Sequence, residues 1–175
     1  MVGFMKISRV WAMPNKSTFA VPPLRAIIAR YQRDDAVWAD PFAGEFSPAQ
    51  ITNDLNPLRK ADYHLEAAEF LAELERTGIM LDGALFDPPY SLTQVSRSYA
   101  DIGLKFKGRE NPTGGFPKVR DAISRLVRPS GYVISYGWNT AGMGLKRGFT
   151  QVEILICSHG GNRNDTLVTV ERRNE

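Results

Sequence analysis

Short apolar segments alternate with amphipathic helical segments along this chain, and this alternation limits the folds that the chain can adopt. Five segments have the length and composition of buried strands, at residues 36–40, 50–53, 63–65, 83–86 and 132–136. Three others place apolar side chains at helical spacing, at residues 24–31, 67–76 and 116–127. Strands that alternate with helices favour a parallel, doubly wound sheet with helices on both faces.

The end of the chain departs from this alternation. Residues 152–156 and 166–170 both have the composition of strands, and only the turn-rich residues 158–165 separate them. A parallel pair needs a crossover of about a dozen residues or more, so we expect this pair to run antiparallel. The sequence therefore predicts an α/β fold with a mostly parallel, seven-stranded sheet that ends in an antiparallel hairpin.

The length of 175 residues, with 43% hydrophobic residues, suits a single domain over residues 1–175. Cys157 is the only cysteine, so no intramolecular disulfide can form and a cytoplasmic location is expected. The first residues do not resemble a signal peptide, and no segment approaches the roughly 20 apolar residues that span a bilayer. The two histidines and one cysteine lack the spacing of metal ligands, so no metal site is predicted.

Charge is spread unevenly over the two halves of the chain. Residues 1–87 contain 9 Lys and Arg against 12 Asp and Glu, whereas residues 88–175 contain 13 against 7. A basic half is consistent with a surface that faces a polyanion, because phosphate contacts supply most sequence-independent affinity for nucleic acids. On charge alone, an ordinary soluble surface with unevenly spread charge is the favoured interpretation.

Polar or conformationally special residues follow four of the predicted strands, at residues 40–44, 54, 64–66 and 87–90. In open α/β sheets, ligands bind beyond the carboxyl ends of the strands. The sequence therefore predicts a functional site along this edge of the sheet.

The segment Asp87-Pro88-Pro89-Tyr90 has the most specific chemistry of these strand ends. Two successive prolines cannot continue a central strand, so they form a stiff loop that fixes the neighbouring side chains. The Asp87 carboxylate and the Pro88 carbonyl can together accept both hydrogens of an amino group. The Tyr90 ring can stack on a flat base.

These residues resemble a family of amino-methyltransferases with a (D/N/S)PP(Y/F) motif, which includes the DNA adenine-N6 methyltransferases. The order of motifs is also similar, because Asp40-Pro41-Phe42-Ala43-Gly44 resembles the family's cofactor motif and precedes Asp87. The resemblance implies a Rossmann-like methyltransferase fold with S-adenosylmethionine as cofactor. It also implies catalytic roles for Asp87, Pro88, Pro89 and Tyr90.

The resemblance further implies a set of cofactor-binding residues on four segments. Asp54 resembles the acidic residue that binds the ribose hydroxyls, and the segment from His64 to Ala67 resembles the stretch that contacts the cofactor adenine. The segment from Asn15 to Thr18 is similar to the N-terminal motif that meets the methionine end of the cofactor. The implied set is Asn15, Lys16, Asp40, Phe42, Ala43, Gly44, Asp54, Leu55, Glu66 and Ala67.

The sequence departs from the family pattern at three places. Glu45 and Phe46 follow Gly44, so the second glycine of the cofactor motif is missing. Glu66 stands where aspartate is usual, and the chain leaves no room for a separate target-recognition domain.

The function implied by the resemblance is methylation of an exocyclic amino nitrogen of a nucleic-acid base, with adenine N6 in DNA favoured. Two alternatives stay open. One is an RNA methyltransferase that acts on guanine N2 or adenine N6. The other is a catalytically idle, cofactor-binding partner subunit. No membrane partner is expected, and the sequence leaves open whether the chain forms a homodimer.

Basic and aromatic residues after the motif are the candidates for contact with nucleic acid. His159 also fits a solvated turn, and Trp138 also fits ordinary packing, so both interpretations stay open. The candidate set is Tyr90, Ser91, Lys105, Lys107, Arg109, Lys118, Arg120, Trp138, Asn139 and His159.

Overall fold

The structure is a computed structural model that describes residues 4–105 and 116–175. Its described strands are β1 Lys6–Trp11, β2 Trp38–Asp40, β3 Ile51–Thr52, β4 Leu81–Phe86, β5 Val127–Gly137, β6 Phe149–Ser158 and β7 Thr166–Arg173. Its described α-helices are α1 Pro22–Ala29, α2 Ala67–Thr77, α3 Leu92–Ala100 and α4 Pro117–Leu126. Short 3₁₀ helices cover Thr18–Ala20 and Leu145–Arg147.

The seven strands form one sheet in the order β1-β6-β7-β5-β4-β2-β3. Strand β7 runs antiparallel to both of its neighbours, β5 and β6, and every other pair is parallel. The predicted fold class is therefore confirmed, including the antiparallel pairing of the last two strands.

Helices cover both faces of the sheet, as the alternation predicts. Successive residues of a strand point to opposite faces, so Phe86 joins the core beneath α2 and α4 while Leu85 joins the core beneath α1. In β5, Val133 joins the same core as Phe86, and Ile134 joins the same core as Leu85. Helix α2 ends as expected at Gly78, which adopts a left-handed conformation with φ of 74°.

Two strand predictions need correction. The segment at residues 63–65 is not a strand, because Tyr63 makes only an isolated bridge to Asn53. The seventh strand is instead β1, which the sequence analysis did not identify. Its sequence, KISRVW, mixes polar and apolar residues because it lies at the sheet edge and is largely exposed.

Three residues that are typical of turns, Pro129, Ser130 and Gly131, lie inside β5. Ser130 has φ of 65°, and the pairing of β4 with β5 shifts register between Leu81 and Gly83. Gly131 approaches the β4 backbone so closely that a Cβ atom would lie 2.7 Å from the Asp82 carbonyl oxygen. The turn residues therefore form an irregularity in a continuous strand rather than a loop.

Among the described residues, no helix has the length and apolar character needed to cross a membrane.

Candidate active site

The carboxyl ends of β2, β3 and β4 meet at a cavity of about 620 Å³. All four residues of the predicted catalytic segment line it, together with predicted cofactor-binding residues from four separate segments. These residues are Asn15, Lys16, Phe42, Asp54, Leu55, Glu66, Ala67, Asp87, Pro88, Pro89 and Tyr90. A smaller adjoining cavity of about 220 Å³ shares several of these residues and is also lined by Ala43 and Gly44.

Asp40 is the predicted cofactor residue that lines neither cavity, because its side chain is completely buried. One carboxylate oxygen accepts the Phe42 N–H at 2.9 Å, and the other accepts the Ser47 hydroxyl at 2.6 Å. Burial raises the pKa of Asp40 to about 7, although both hydrogen bonds oppose the shift. Asp40 therefore stabilises the turn after β2 from beneath, and the predicted direct contact with a cofactor needs correction.

The turn after β2 is joined to β3 through Asp54. The Asp54 carboxylate accepts the Gly44 N–H at 3.0 Å and the Asn56 N–H at 2.8 Å, one on each oxygen. Gly44 has φ of 59°, a conformation that suits glycine. Each carboxylate oxygen keeps a second lone pair, so Asp54 can still accept hydrogen bonds from a ligand in the cavity.

Glu45 and Phe46, which stand in place of the missing second glycine, are both exposed. Glu45 forms an ion pair with Arg59. All three side chains line the smaller cavity.

Asn53 organises the site, and the sequence analysis did not identify this role. Its side-chain amide donates to the carbonyls of Pro41 at 3.1 Å and Leu65 at 3.0 Å, and its side-chain oxygen accepts the Leu65 N–H at 2.9 Å. Its backbone accepts the Ala43 N–H and donates to the Asp40 carbonyl. This buried side chain therefore ties together three of the segments that line the cavity. A polar residue at the end of a predicted strand was the available signal.

Glu66 lies at the start of α2, and its carboxylate accepts the Tyr99 hydroxyl at 2.5 Å. Tyr99 belongs to α3, a helix that is not among the three predicted from the sequence. Helix α3 supplies further lining residues that the sequence analysis did not single out, namely Gln94, Val95, Arg97 and Ser98.

The Asp87 carboxylate accepts a hydrogen bond from the hydroxyl of Tyr90, three residues later. Thr18, on the 3₁₀ helix before α1, lines the same cavities as Asp87. Burial raises the pKa of Asp87, whereas the Thr18 and Tyr90 hydroxyls act in the opposite direction. The two prolines thus fix a carboxylate at the cavity wall, as the sequence predicts for a stiff loop.

The N-terminal segment reaches the same cavity. Asn15 and Lys16 are exposed and line it, and the Asn15 side-chain oxygen accepts the Ser17 N–H at 2.9 Å. Thr18 follows on the 3₁₀ helix, so one short segment contributes three of the residues that line the cavity.

Some of the predicted nucleic-acid contacts lie beside the cavity. Tyr90 and His159 line it, and the half-exposed Trp138 packs against Tyr90 with ring centroids 5.6 Å apart. Ser91 caps α3 by accepting the Gln94 N–H. Asn139 accepts the Ala141 N–H at 3.0 Å within the loop after β5.

The predicted cations do not all lie on one exposed surface. Lys105 and Lys118 are exposed. Arg120 instead points inward, with its guanidinium 5.2 Å from the centre of the Phe86 ring, so its assignment to the nucleic-acid surface needs correction. Lys107 and Arg109 lie outside the described residues.

Within residues 4–105 and 116–175, no group of three or more His, Cys, Asp or Glu side chains is arranged to hold a metal ion.

No protein-family model matches the sequence, and no curated protein matches it either. Solved structures do match. TrmN from Thermus thermophilus superposes with a TM-score of 0.54 and 19% identity over 87% of this chain. NSun6 from Pyrococcus horikoshii, solved with SFG, superposes with a TM-score of 0.52 and 13% identity over 81% of this chain. The chain has a Rossmann-like methyltransferase fold.

A third match is 1,6-didemethyltoxoflavin-N1-methyltransferase from Burkholderia thailandensis, solved with its substrate and S-adenosylhomocysteine. Its TM-score is 0.50 with 14% identity, over 86% of this chain and 75% of that protein. The chain spans 49% of the TrmN chain and 48% of the NSun6 chain, about half of each.

Proposed function

We propose that this protein is an S-adenosylmethionine-dependent methyltransferase that methylates an exocyclic amino nitrogen of a nucleic-acid base, with adenine N6 in DNA as the favoured target. One observation carries the proposal. A single cavity is lined by Asp87-Pro88-Pro89-Tyr90 and by seven of the ten residues that resemble the family's cofactor-binding set.

The residues of the cavity fit the proposed cofactor. Asp54 presents carboxylate oxygens to the cavity, as a partner for ribose hydroxyls, and Glu66 lies on another wall. The Phe42-Ala43-Gly44 turn lines the smaller cavity beside Asp54. The likeness to a methyltransferase solved with S-adenosylhomocysteine supports the same assignment.

The proposed chemistry begins with a poor nucleophile, because the lone pair of a base amino group is delocalised into the ring. When bound, S-adenosylmethionine supplies an electrophilic methyl group on its sulfonium. The Asp87 carboxylate and the Pro88 carbonyl would accept the two amino hydrogens in hydrogen bonds and favour a tetrahedral nitrogen. Asp87 would then take up the proton that the nitrogen releases when it gains the methyl group. Positioning and electrostatic stabilisation then lower the barrier. Tyr90 contributes a stacking surface for the base.

Adenine N6 in DNA is favoured because Asp at the first position of the motif resembles the DNA adenine-N6 enzymes. Incubation with labelled cofactor and DNA, tRNA or rRNA, followed by mass spectrometry of the nucleosides, tests the assignment. N6-methyladenine in DNA is the expected product. N2-methylguanine or N6-methyladenine in RNA would identify the RNA alternative, and cofactor binding without transfer to any substrate would identify the idle subunit.

Replacement of Asp54 by alanine should weaken S-adenosylmethionine binding. A charge-assisted hydrogen bond contributes roughly 1.5–3 kcal/mol, which corresponds to about a tenfold to hundredfold loss of affinity. Isothermal titration calorimetry measures the change. Asp62→Ala is the matched control, because Asp62 also bonds the backbone near β3 but lines neither cavity. Equal affinity in the Asp54→Ala and wild-type proteins would remove Asp54 from the cofactor site.

Replacement of Tyr90 by phenylalanine should shift the acid limb of the pH–rate profile to higher pH. The Tyr90 hydroxyl stabilises the charged form of Asp87. Its removal therefore raises the pKa of Asp87 further, beyond the rise that burial already causes. Activity that needs the ionised carboxylate is then lost at a higher pH, while the rate well above that pH changes little. Tyr132→Phe, which removes a hydroxyl away from the cavity, should keep the wild-type profile. A Tyr90→Phe profile that superposes on wild type would contradict this role.

A further inference from the structure

Two exposed tryptophans lie at the carboxyl edge of the sheet, one on each side of the loop between β6 and β7. Trp11 ends β1 opposite Ser158 and is 64% exposed, and Trp138 directly follows β5 and is 44% exposed. The third tryptophan, Trp38, is buried in the core. Tryptophan combines a large apolar ring with a polar N–H, which makes it common at binding interfaces.

Trp138 is directly connected to the candidate active site. Its ring packs against Tyr90 at an angle of 59°, and Tyr90 lines the cavity beside Asp87. A base bound at Tyr90 therefore has an indole next to it, on the side of the sheet edge that leads towards β7.

Trp11 lies against the loop that lines the other side of the cavity. A Cβ atom on Gly160 would come within 3.3 Å of the Trp11 indole nitrogen, so the indole covers this glycine. The preceding residue, His159, lines the cavity. Its ring is fixed by hydrogen bonds to the Ala12 carbonyl at 2.9 Å and the Thr166 hydroxyl at 2.8 Å.

The strand ends that carry the two indoles are separated by the length of several nucleotides. Three strand-to-strand steps separate β1 from β5 in the sheet. At about 4.8 Å a step, the two strand ends lie about 14 Å apart. That distance is about four times the 3.4 Å rise of a B-form strand, so bases on the two indoles would not stack on each other.

Cations lie along the same edge. Arg9 projects from the same face of β1 as Trp11, two residues away, and donates to the Ser158 hydroxyl at 2.9 Å. Arg163 is exposed in the loop between β6 and β7, and Lys16 is exposed at the cavity. Indoles interleaved with cations form the arrangement that binds unpaired nucleic acid, where bases stack on rings and phosphates pair with cations.

We propose that this edge binds an unpaired nucleic-acid strand, with nucleotides that flank the target base stacked on Trp138 and Trp11. The inference rests on the proposed function, because it requires a nucleic-acid substrate, and it specifies that substrate as single-stranded at the target. Unpaired bases expose the faces that indoles contact, whereas a duplex keeps them stacked.

Fluorescence of the tryptophans tests binding without any need for catalysis. Titration with a short single-stranded oligonucleotide should quench emission, because two of the three tryptophans are exposed. Trp138→Ala and Trp11→Ala should each lower affinity for the single strand by roughly 5- to 150-fold, as expected for the loss of one stacked base. Trp138→Phe, which keeps a ring, should lose less. Met80→Ala is the matched control, since Met80 is an exposed apolar residue at the opposite edge, directly before β4.

The outcomes separate this inference from the proposed function. Single-strand binding that depends on Trp138 and Trp11, without methyl transfer to any substrate, would support the inference and contradict the function. Methyl transfer to duplex DNA at wild-type rate in both alanine variants would support the function and overturn the inference. Equal affinity for single strand and duplex in every variant would also overturn it. The inference would also be overturned if the protein self-associates and Trp11→Ala abolishes this self-association without changing oligonucleotide binding. The surface would then be a protein interface.

Discussion

Replacement of Asp87 by alanine is expected to lower the rate of methyl transfer by about a hundredfold to a thousandfold, the usual effect of removing one preorganised group that stabilises a transition state. The carboxylate matters most as the amino nitrogen changes shape, so kcat should fall while the affinity for cofactor and substrate changes little. Single-turnover rates and calorimetry on the same preparation separate the two effects. Asp87→Asn should lose less, because its side-chain oxygen still accepts one amino hydrogen.

A surface change of the same type controls for nonspecific effects. Asp34→Ala removes an exposed carboxylate before β2 and should leave both rate and binding at wild-type values. Wild-type turnover in Asp87→Ala would exclude the proposed catalytic role. A loss of cofactor affinity as large as the loss of rate would reassign Asp87 to the cofactor site.

The parts of the site that could be predicted from the sequence depend on local signals. Pro88 and Pro89 must end a strand, and Gly44 allows the turn after β2, so a few neighbouring residues determine both loops. Their approach to one cavity then follows from the parallel sheet, because parallel strands place their carboxyl ends at the same edge.

The parts that could not be predicted depend on contacts between distant segments. Strand β1 pairs with β6, whose residues lie about 150 positions later, and nothing in its mixed polar pattern indicates a partner. Asn53 ends a predicted strand, but its bonds to Pro41 and Leu65 exist only once the sheet has formed. The Tyr90 hydroxyl was assigned no role, yet it bonds to Asp87.

The misplacement of Arg120 has a different cause. Clustering of cations in the sequence placed it on a binding surface, but the helical period places it on one face with Phe116 and Ile123. Both of these residues are buried. Periodicity within residues 116–127 was therefore the better guide than local charge.

Replacement of Asp40 by asparagine should remove a large pH dependence of stability. The folded protein keeps the Asp40 proton up to about pH 7, whereas the unfolded chain releases it near its ordinary pKa of 3.8. Between these values the folded state binds more protons, so the free energy of unfolding falls as pH rises. At 1.36 kcal/mol per pH unit, the fall amounts to about 4 kcal/mol over the window.

Asparagine can keep both contacts, because its oxygen accepts the Phe42 N–H and its amino group can donate to the Ser47 oxygen, which reverses the direction of the bond that Ser47 donates to Asp40. The variant should therefore match wild type near pH 4 and exceed its stability above pH 7. Urea denaturation at a series of pH values measures the difference between the two proteins. Burial also raises the pKa values of Asp87 and Glu171. These two groups make the free energy of unfolding depend on pH in the wild type and in the variant alike.

Asp34→Asn, an exposed change of the same type, should follow the wild-type curve at every pH. An Asp40→Asn curve parallel to wild type would show that Asp40 titrates normally in the folded protein. The expected divergence would instead show that a buried, protonated carboxyl holds the turn after β2.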